Sequence, residues 1–216
     1  MLALKRIFFL FAIVSIIAGC QSAYYSAMES VGQHKRDILV DRVEKANESQ
    51  EDAQQEFTDA LEALSTLINF DGGELQEQYE VTKDHYEASE KAATEVSNRI
   101  EAIEDVADAL FDEWSDEIDE YTSASLKRSS ESKLKETQRR YKKVMKSMYR
   151  AEKSMQPALS ALKDNMLYLK HNLNAKAIGA LEGEYKNLKG DIEQLIKEMD
   201  IAINNSKQFI SKLQSE

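Results

Sequence analysis

Residues 178–213 read IGALEGEYKNLKGDIEQLIKEMDIAINNSKQFISKL. Alternating steps of three and four from Ile178 land on Leu181, Tyr185, Leu188, Ile192, Leu195, Met199, Ala202, Ser206, Phe209 and Leu213, apolar at every position but Ser206. That spacing returns each apolar side chain to one edge of an α-helix. Ile196, Ile203 and Ile210 run beside the edge at seven-residue intervals. A stripe wider than two positions per heptad suits a helix bundle better than a two-stranded coiled coil.

Working back toward the start, the same count recurs three times. One segment runs from Leu39 to Leu67 with Gln50 its polar exception, flanked by Leu61 and Ile68. A second runs from Leu75 through Leu110, Trp114 and Glu117 to Tyr121, with Thr82 and Ser89 also polar and Val106 alongside. A third takes in Leu134, Gln138, Tyr141, Met145, Met148, Glu152, Met155, Leu159, Leu162, Met166, Leu169 and Leu173, flanked by Val144. Apolar residues fill 39 of the 46 positions, against a chain average of 42%. The polar seam positions Gln50, Thr82, Gln138 and Glu152 read as register-fixing groups, and the seam methionines as adaptable core filling.

Three breaks divide the segments. Paired glycines at Asp71-Gly72-Gly73 end a helix at little conformational cost. At Thr122-Ser123-Ala124-Ser125 the seven-residue register slips by about a stammer. At Asn172-Leu173-Asn174, Asn174 stands where it can cap the following helix. Pro157 keeps Met155, Leu159 and Leu162 in phase, so it reads as a kink rather than a stop. These boundaries predict helices of roughly 48, 48, 47 and 40 residues, each about 60–70 Å long. Short connections make them an all-α, elongated up-down-up-down antiparallel bundle with coiled-coil-like packing. If the second break is false, the middle segments fuse into one rod. The seam is satisfied whether the bundle closes within one chain or across two.

Composition excludes other classes. With 7 Gly and 1 Pro in 216 residues, the chain lacks the turn punctuation of an all-β fold. A single Cys rules out an internal disulfide framework and a multi-cysteine metal site. A net charge of -11 opposes general nucleic-acid binding.

That one Cys is informative. Lys5 and Arg6 precede an apolar run from Ile7 to Ile17, broken only by Ser15, and then Ile17-Ala18-Gly19-Cys20. The run is too short to span a bilayer but suits a signal-peptide core. The four residues ending at Cys20 look like the lipobox of bacterial lipoproteins. The resemblance implies a signal peptide over 1–19, cleavage before Cys20, a diacylglyceryl group on its thiol and a further acyl chain on its amino group. Two or more chains anchor stably where one is marginal. Gln21 rather than Asp after the Cys implies, by the same analogy, the outer membrane facing the periplasm. Residues 20–216 then form a single bundle domain held in the cell envelope by acyl chains on Cys20.

Charge is unevenly spread. Residues 41–120 hold 26 acidic and 5 basic side chains, whereas residues 127–153 hold 11 basic and 3 acidic. Such asymmetry selects helix neighbours and orientation. It also makes Arg139, Arg140, Lys142 and Lys143 a candidate docking face for anionic glycan, phospholipid headgroups or an acidic partner.

Reactive constellations do not emerge. None of His34, His85 and His171 has the Glu three residues before it that a di-iron bundle uses. The acidic run Asp112–Glu120 lacks the Gly-centred oxygen loop of a calcium site. No haem, phosphate-loop or nucleophile-elbow motif occurs. The expectation is therefore of no catalytic residue, no metal and no cofactor.

The run Leu169-Lys170-His171-Asn172-Leu173-Asn174-Ala175-Lys176-Ala177-Ile178, with Arg139-Arg140-Tyr141 and Met155-Gln156-Pro157 upstream, resembles the bacterial lipoproteins of domain-of-unknown-function family 2959. The likeness spans essentially the whole mature chain and brings no activity, ligand or catalytic residue with it. Together these readings predict a non-enzymatic envelope scaffold, spacer or interaction module with an envelope protein as partner. The alternative is a membrane-surface or anionic-ligand module using the basic third helix.

Overall fold

The computed structural model describes Tyr25, Met28 and residues 34–69, 75–172 and 175–215. The signal segment, Cys20, the Asp71-Gly72-Gly73 break, Leu173 and the Asn174 cap lie outside the described residues. Four helices follow one another: α1 (Lys35–Ile68), α2 (Leu75–Glu120), α3 (Ala124–His171) and α4 (Ala175–Ser215). Their lengths of 34, 46, 48 and 41 residues match the sequence boundaries for the last three. The first is shorter than the roughly 48 residues expected, because it begins at Lys35, where His34 stands in extended backbone with its carbonyl accepting from the Asp37 and Ile38 amides.

The middle segments are separate helices, not one rod. Ser123 caps α3 in extended backbone, its Oγ accepting from the Leu126 amide at 3.5 Å and its carbonyl from the Lys127 amide at 2.9 Å. The outgoing ends of α1 and α3 are closed by asparagines. The side-chain amide of Asn69 donates to the Ser65 carbonyl at 2.8 Å, and that of Asn172 to the Tyr168 carbonyl at 2.9 Å. Each supplies a donor to a carbonyl near a terminus where helical donors run out.

The helices pack as a ring, α1 on α2, α2 on α3, α3 on α4 and α4 back on α1. All neighbours are antiparallel. Ser89 of α2 donates to the Glu56 carbonyl of α1, Ser97 of α2 to Glu152 of α3 at 2.6 Å, and Gln54 of α1 to the Ile196 carbonyl of α4. The bundle thus closes within one chain. One end, here the leading end, gathers the start of α1, the α2–α3 turn and the end of α4. There the Arg36 guanidinium donates to the Leu213 carbonyl, Lys35 pairs with Glu113 at 2.7 Å and Lys127 with Asp119 at 2.9 Å. The only tryptophan, Trp114, donates to Ser130 Oγ at 2.8 Å across the same turn.

The core follows the apolar spacing closely in α1 and α4. All nine seam positions of α1 are buried, Gln50 included, and α4 departs only at half-buried Tyr185. Two departures occur elsewhere. In α3 the expected seam shares Leu134, Met145, Met148, Met155, Leu162 and Leu169 with the observed one, with Tyr141 half-buried. The alternate positions lie one residue earlier: Thr137, Val144, Ala151, Ala158 and Asn165 are buried, while Gln138, Glu152, Leu159 and Met166 are only half-buried. Small side chains on the deepest line let the helix axes approach, and longer ones beside them cover the flanks. Toward the end of α2, Phe111 and Ile118 are buried while Glu117 and Tyr121 are exposed. Leu110 is as buried as Phe111, and Ile103, Ala107, Leu110, Trp114 and Ile118 are spaced 4-3-4-4. The slip therefore begins inside the helix, as an added four-residue step rather than a stammer at the turn.

The polar seam residues divide. Gln50 and Thr82 bond back to their own helix, at the Ala46 and Gln78 carbonyls. Glu152 is the one that crosses between helices, to Ser97. Gln138 has no hydrogen-bond partner among the described residues.

α3 runs unbroken through Pro157, whose ring lies on the exposed face. Proline removes the donor for the Lys153 carbonyl, one turn back on the same exposed side. Replacing it with alanine restores that bond. Pro157→Ala is expected to raise Tm, on the order of 5–10 °C, since an interior proline costs about 3 kcal/mol. Ala158→Leu, at a fully buried position, should destabilise by about 1–3 kcal/mol. Ser160→Leu on the exposed side should stay within about 0.5 kcal/mol. Thermal and urea unfolding measure all three.

Candidate functional site

The four candidate residues on α3 part company around the helix. Arg140 and Lys143 line a groove of about 640 Å³ between α3 and α4. Arg139 and Lys142 are exposed and lie outside it. From α4 the groove gains Lys207 and Lys212, with Asn204, Asn205, Gln208 and Ser211, over an apolar floor of Val144 and Phe209. The α3 sequence pointed to half of this group, and the α4 half was missed. Its signal was present: residues 201–216 hold two lysines and a single acid, Glu216, in an otherwise acidic chain.

An aromatic cluster fixes the groove floor. Tyr141 meets Phe111 of α2 edge-on, with ring centroids 5.4 Å apart, and Phe209 of α4 at 6.5 Å. This links three helices at one level. Burial, then the nearby carboxylates of Glu104 and Asp108, push the Tyr141 hydroxyl well above the usual range. Tyr149 is raised likewise, by burial and then by a hydrogen bond to Glu104. Asp108 is also raised, first by burial and then by Asp112, Glu104 and Asp105. The acidic side of α2 therefore crowds like charges against the α2–α3 junction.

The charge asymmetry is only partly consumed in ion pairs. Arg150 reaches Glu198 of α4 at 3.5 Å, Arg140 pairs with Glu136 on its own helix, and Lys127 holds Asp119 at the turn. Lys207 pairs with Glu51 of α1 at 3.4 Å. Arg128, Lys135, Arg139, Lys142, Lys143, Lys146 and Lys153 are exposed or half-exposed and make no short ion pair among the described residues. α3 is joined to acidic α2 by the Lys127–Asp119 pair at the turn, and most of its cations face solvent.

The other candidate groups disperse. His34 precedes α1, His85 lies in α2 and His171 closes α3 beside Lys170, whose charge meets the negative helix end. Within the acidic run, Glu113 pairs toward α1 and Asp119 toward α3. Among the described residues no group of three or more His, Cys, Asp or Glu is placed to hold a metal ion. A cleft between α2 and α3 contains Tyr86 and Lys163. Tyr86 donates to Glu90 at 2.7 Å, and burial followed by that bond lifts its pKa to about 12.

The family model described as Protein of unknown function (DUF2959) matches residues 24–213, all four helices among them. The chain belongs to the DUF2959 family. No curated protein matches it. The match to the DUF2959 model takes in both faces of the α3–α4 groove, so the groove is built within the family domain.

Tyr86, Tyr141 and Tyr149 are held neutral more firmly in the fold than in the unfolded chain, whose tyrosines ionise near 10. Their contribution to stability is complete below pH 10 and is lost as pH rises through the folded values. Thermal melts should show Tm falling between pH 10 and 12. The triple variant Tyr86→Phe, Tyr141→Phe, Tyr149→Phe should show a shallower fall.

Proposed function

We propose that this DUF2959 protein is a non-enzymatic, lipid-anchored bundle of the cell envelope that serves as a scaffold, spacer or interaction module. The observation that carries this reading is the geometry of attachment. Lys35 opens α1 only 15 residues after Cys20, and α1 opens at one end of a bundle whose longest helix has 48 residues. At 1.5 Å per residue that helix is about 70 Å long. Acyl chains on Cys20 would tether the leading end and leave the length of the bundle to act as the reach. Dispersal of the histidines and acids over separate helices supports a binding rather than a catalytic role. Gln21 favours the outer membrane, facing the periplasm.

A second reading has its own support. The exposed cations Arg139, Lys142 and Lys143 on α3, and the basic groove between α3 and α4, suit a module that binds an anionic partner or membrane surface.

Mass spectrometry of the protein extracted from envelopes tests the anchor. The expected mature chain begins at Cys20 and carries diacylglyceryl and acyl mass. A Cys20→Ala form should be released from the membrane fraction by washing in 0.5 M salt, whereas the lipidated protein stays. An unmodified thiol at the processed terminus would overturn the reading. Crosslinking in intact envelopes, followed by detergent purification, should recover a stoichiometric protein partner if the module is a scaffold.

A further inference from the structure

The basic groups gather in one place along the bundle. Arg139, Arg140, Lys142 and Lys143 stand in the half of α3 nearer the α2–α3 turn, and Lys207 and Lys212 close to the end of α4. Both stretches belong to the leading half, where α1 begins. In the ring order of the helices, the α3–α4 face is opposite the α1–α2 face. The latter carries nearly all of the acid-rich stretch 41–120. The leading half is therefore polarised, with cations on one side and carboxylates on the other. At the turn on the same end, Tyr121 and Leu126 are 43% and 57% exposed, amphipathic and apolar side chains of the kinds found at a headgroup boundary.

We propose that the α3–α4 face of the leading half docks on anionic phospholipid headgroups of the membrane that holds the acyl chains. The bundle then reclines on the bilayer along this half instead of standing on its tip. This deepens the second reading above and rests on it. Three observations converge on lipid as the occupant. The cations lie in the half where α1 begins, 15 residues after Cys20; Arg139, Lys142 and Lys143 are exposed; and the opposite side is acidic and repelled by the same surface. A lipid tether combined with a basic patch is a two-signal membrane attachment, each part holding the other near the surface.

The test separates the face from the anchor by removing the lipid. Residues 20–216 carrying Cys20→Ser are mixed with vesicles of phosphatidylglycerol and phosphatidylcholine, or of phosphatidylcholine alone, and sedimented. Binding is expected to the mixed vesicles at low salt, to weaken at 0.5 M salt, and to be absent on phosphatidylcholine. At roughly fivefold per basic residue at the surface, Arg139→Gln, Arg140→Gln, Lys142→Gln and Lys143→Gln together should weaken binding several hundred-fold. Lys207→Gln with Lys212→Gln should weaken it further. A charge-matched control, Lys45→Gln, Lys83→Gln, Lys91→Gln and Lys189→Gln, should bind nearly as the parent does. Circular dichroism melts verify that each variant is folded.

Orientation supplies the second readout. The serine form has no cysteine, so a fluorophore can be placed at Lys146→Cys on α3 or at Asp41→Cys on α1. Quenching by headgroup-labelled lipid is expected at the first position and not at the second. No binding to anionic vesicles at low salt, equal loss in the control, or equal quenching at both positions overturns the proposal. Tight binding to a soluble acidic polypeptide with none to vesicles overturns it in favour of a protein partner. An unmodified Cys20 in envelopes would remove the tether while leaving the vesicle result to decide the face.

Discussion

Exclusion of water from a stripe down each helix is the constraint on which the rest of this architecture depends. Helices of 34 to 48 residues have no other means of staying aligned over such a length, because side-chain bonds between them are few and scattered. Each stripe is satisfied only by its two neighbours, so the ring either closes completely or leaves a long apolar edge in water. Closure within one chain fixes which side of every helix faces outward. The distribution of exterior charge then follows from the interior pattern.

The exterior pattern is organised by the same closure. Antiparallel order brings the basic part of α3 alongside the last turns of α4, which are far apart in sequence. It also places acid-rich α2 against α3 on its other flank. Where acids of α2 meet the aromatic groups of α3, tyrosines are held neutral and Asp108 resists ionisation. That junction crowds carboxylates together, whereas the α3–α4 groove gathers cations. The aromatic link of Phe111, Tyr141 and Phe209 runs beneath both, so the groove floor is set by packing rather than by the charges around it.

Helix number, order and breaks were legible because apolar spacing is a periodic signal summed over dozens of residues. The stripe of α4 was legible residue by residue, since its large side chains occupy one column. α3 was harder because two adjacent columns qualify. Leu159 and Met166 look more like a core than Ala158 and Asn165 do. Yet axis separation favours small groups at the centre, a tertiary demand that no count of apolar residues contains. The shift in α2 between Trp114 and Ile118 reflects a drift between 3.5 and 3.6 residues per turn that neighbouring helices resolve. For the groove, a charge run within one helix was visible. The partnership of Lys207 and Lys212 with it depends on the fold.

The lone indole sits half-buried at the leading end, tied to Ser130 across the α2–α3 turn. Intrinsic emission from this chain is consequently a local gauge. A change in its colour that precedes loss of the helical signal would mean that this turn loosens while the remaining length holds. The two spectra together distinguish fraying at one tip from collapse of the whole.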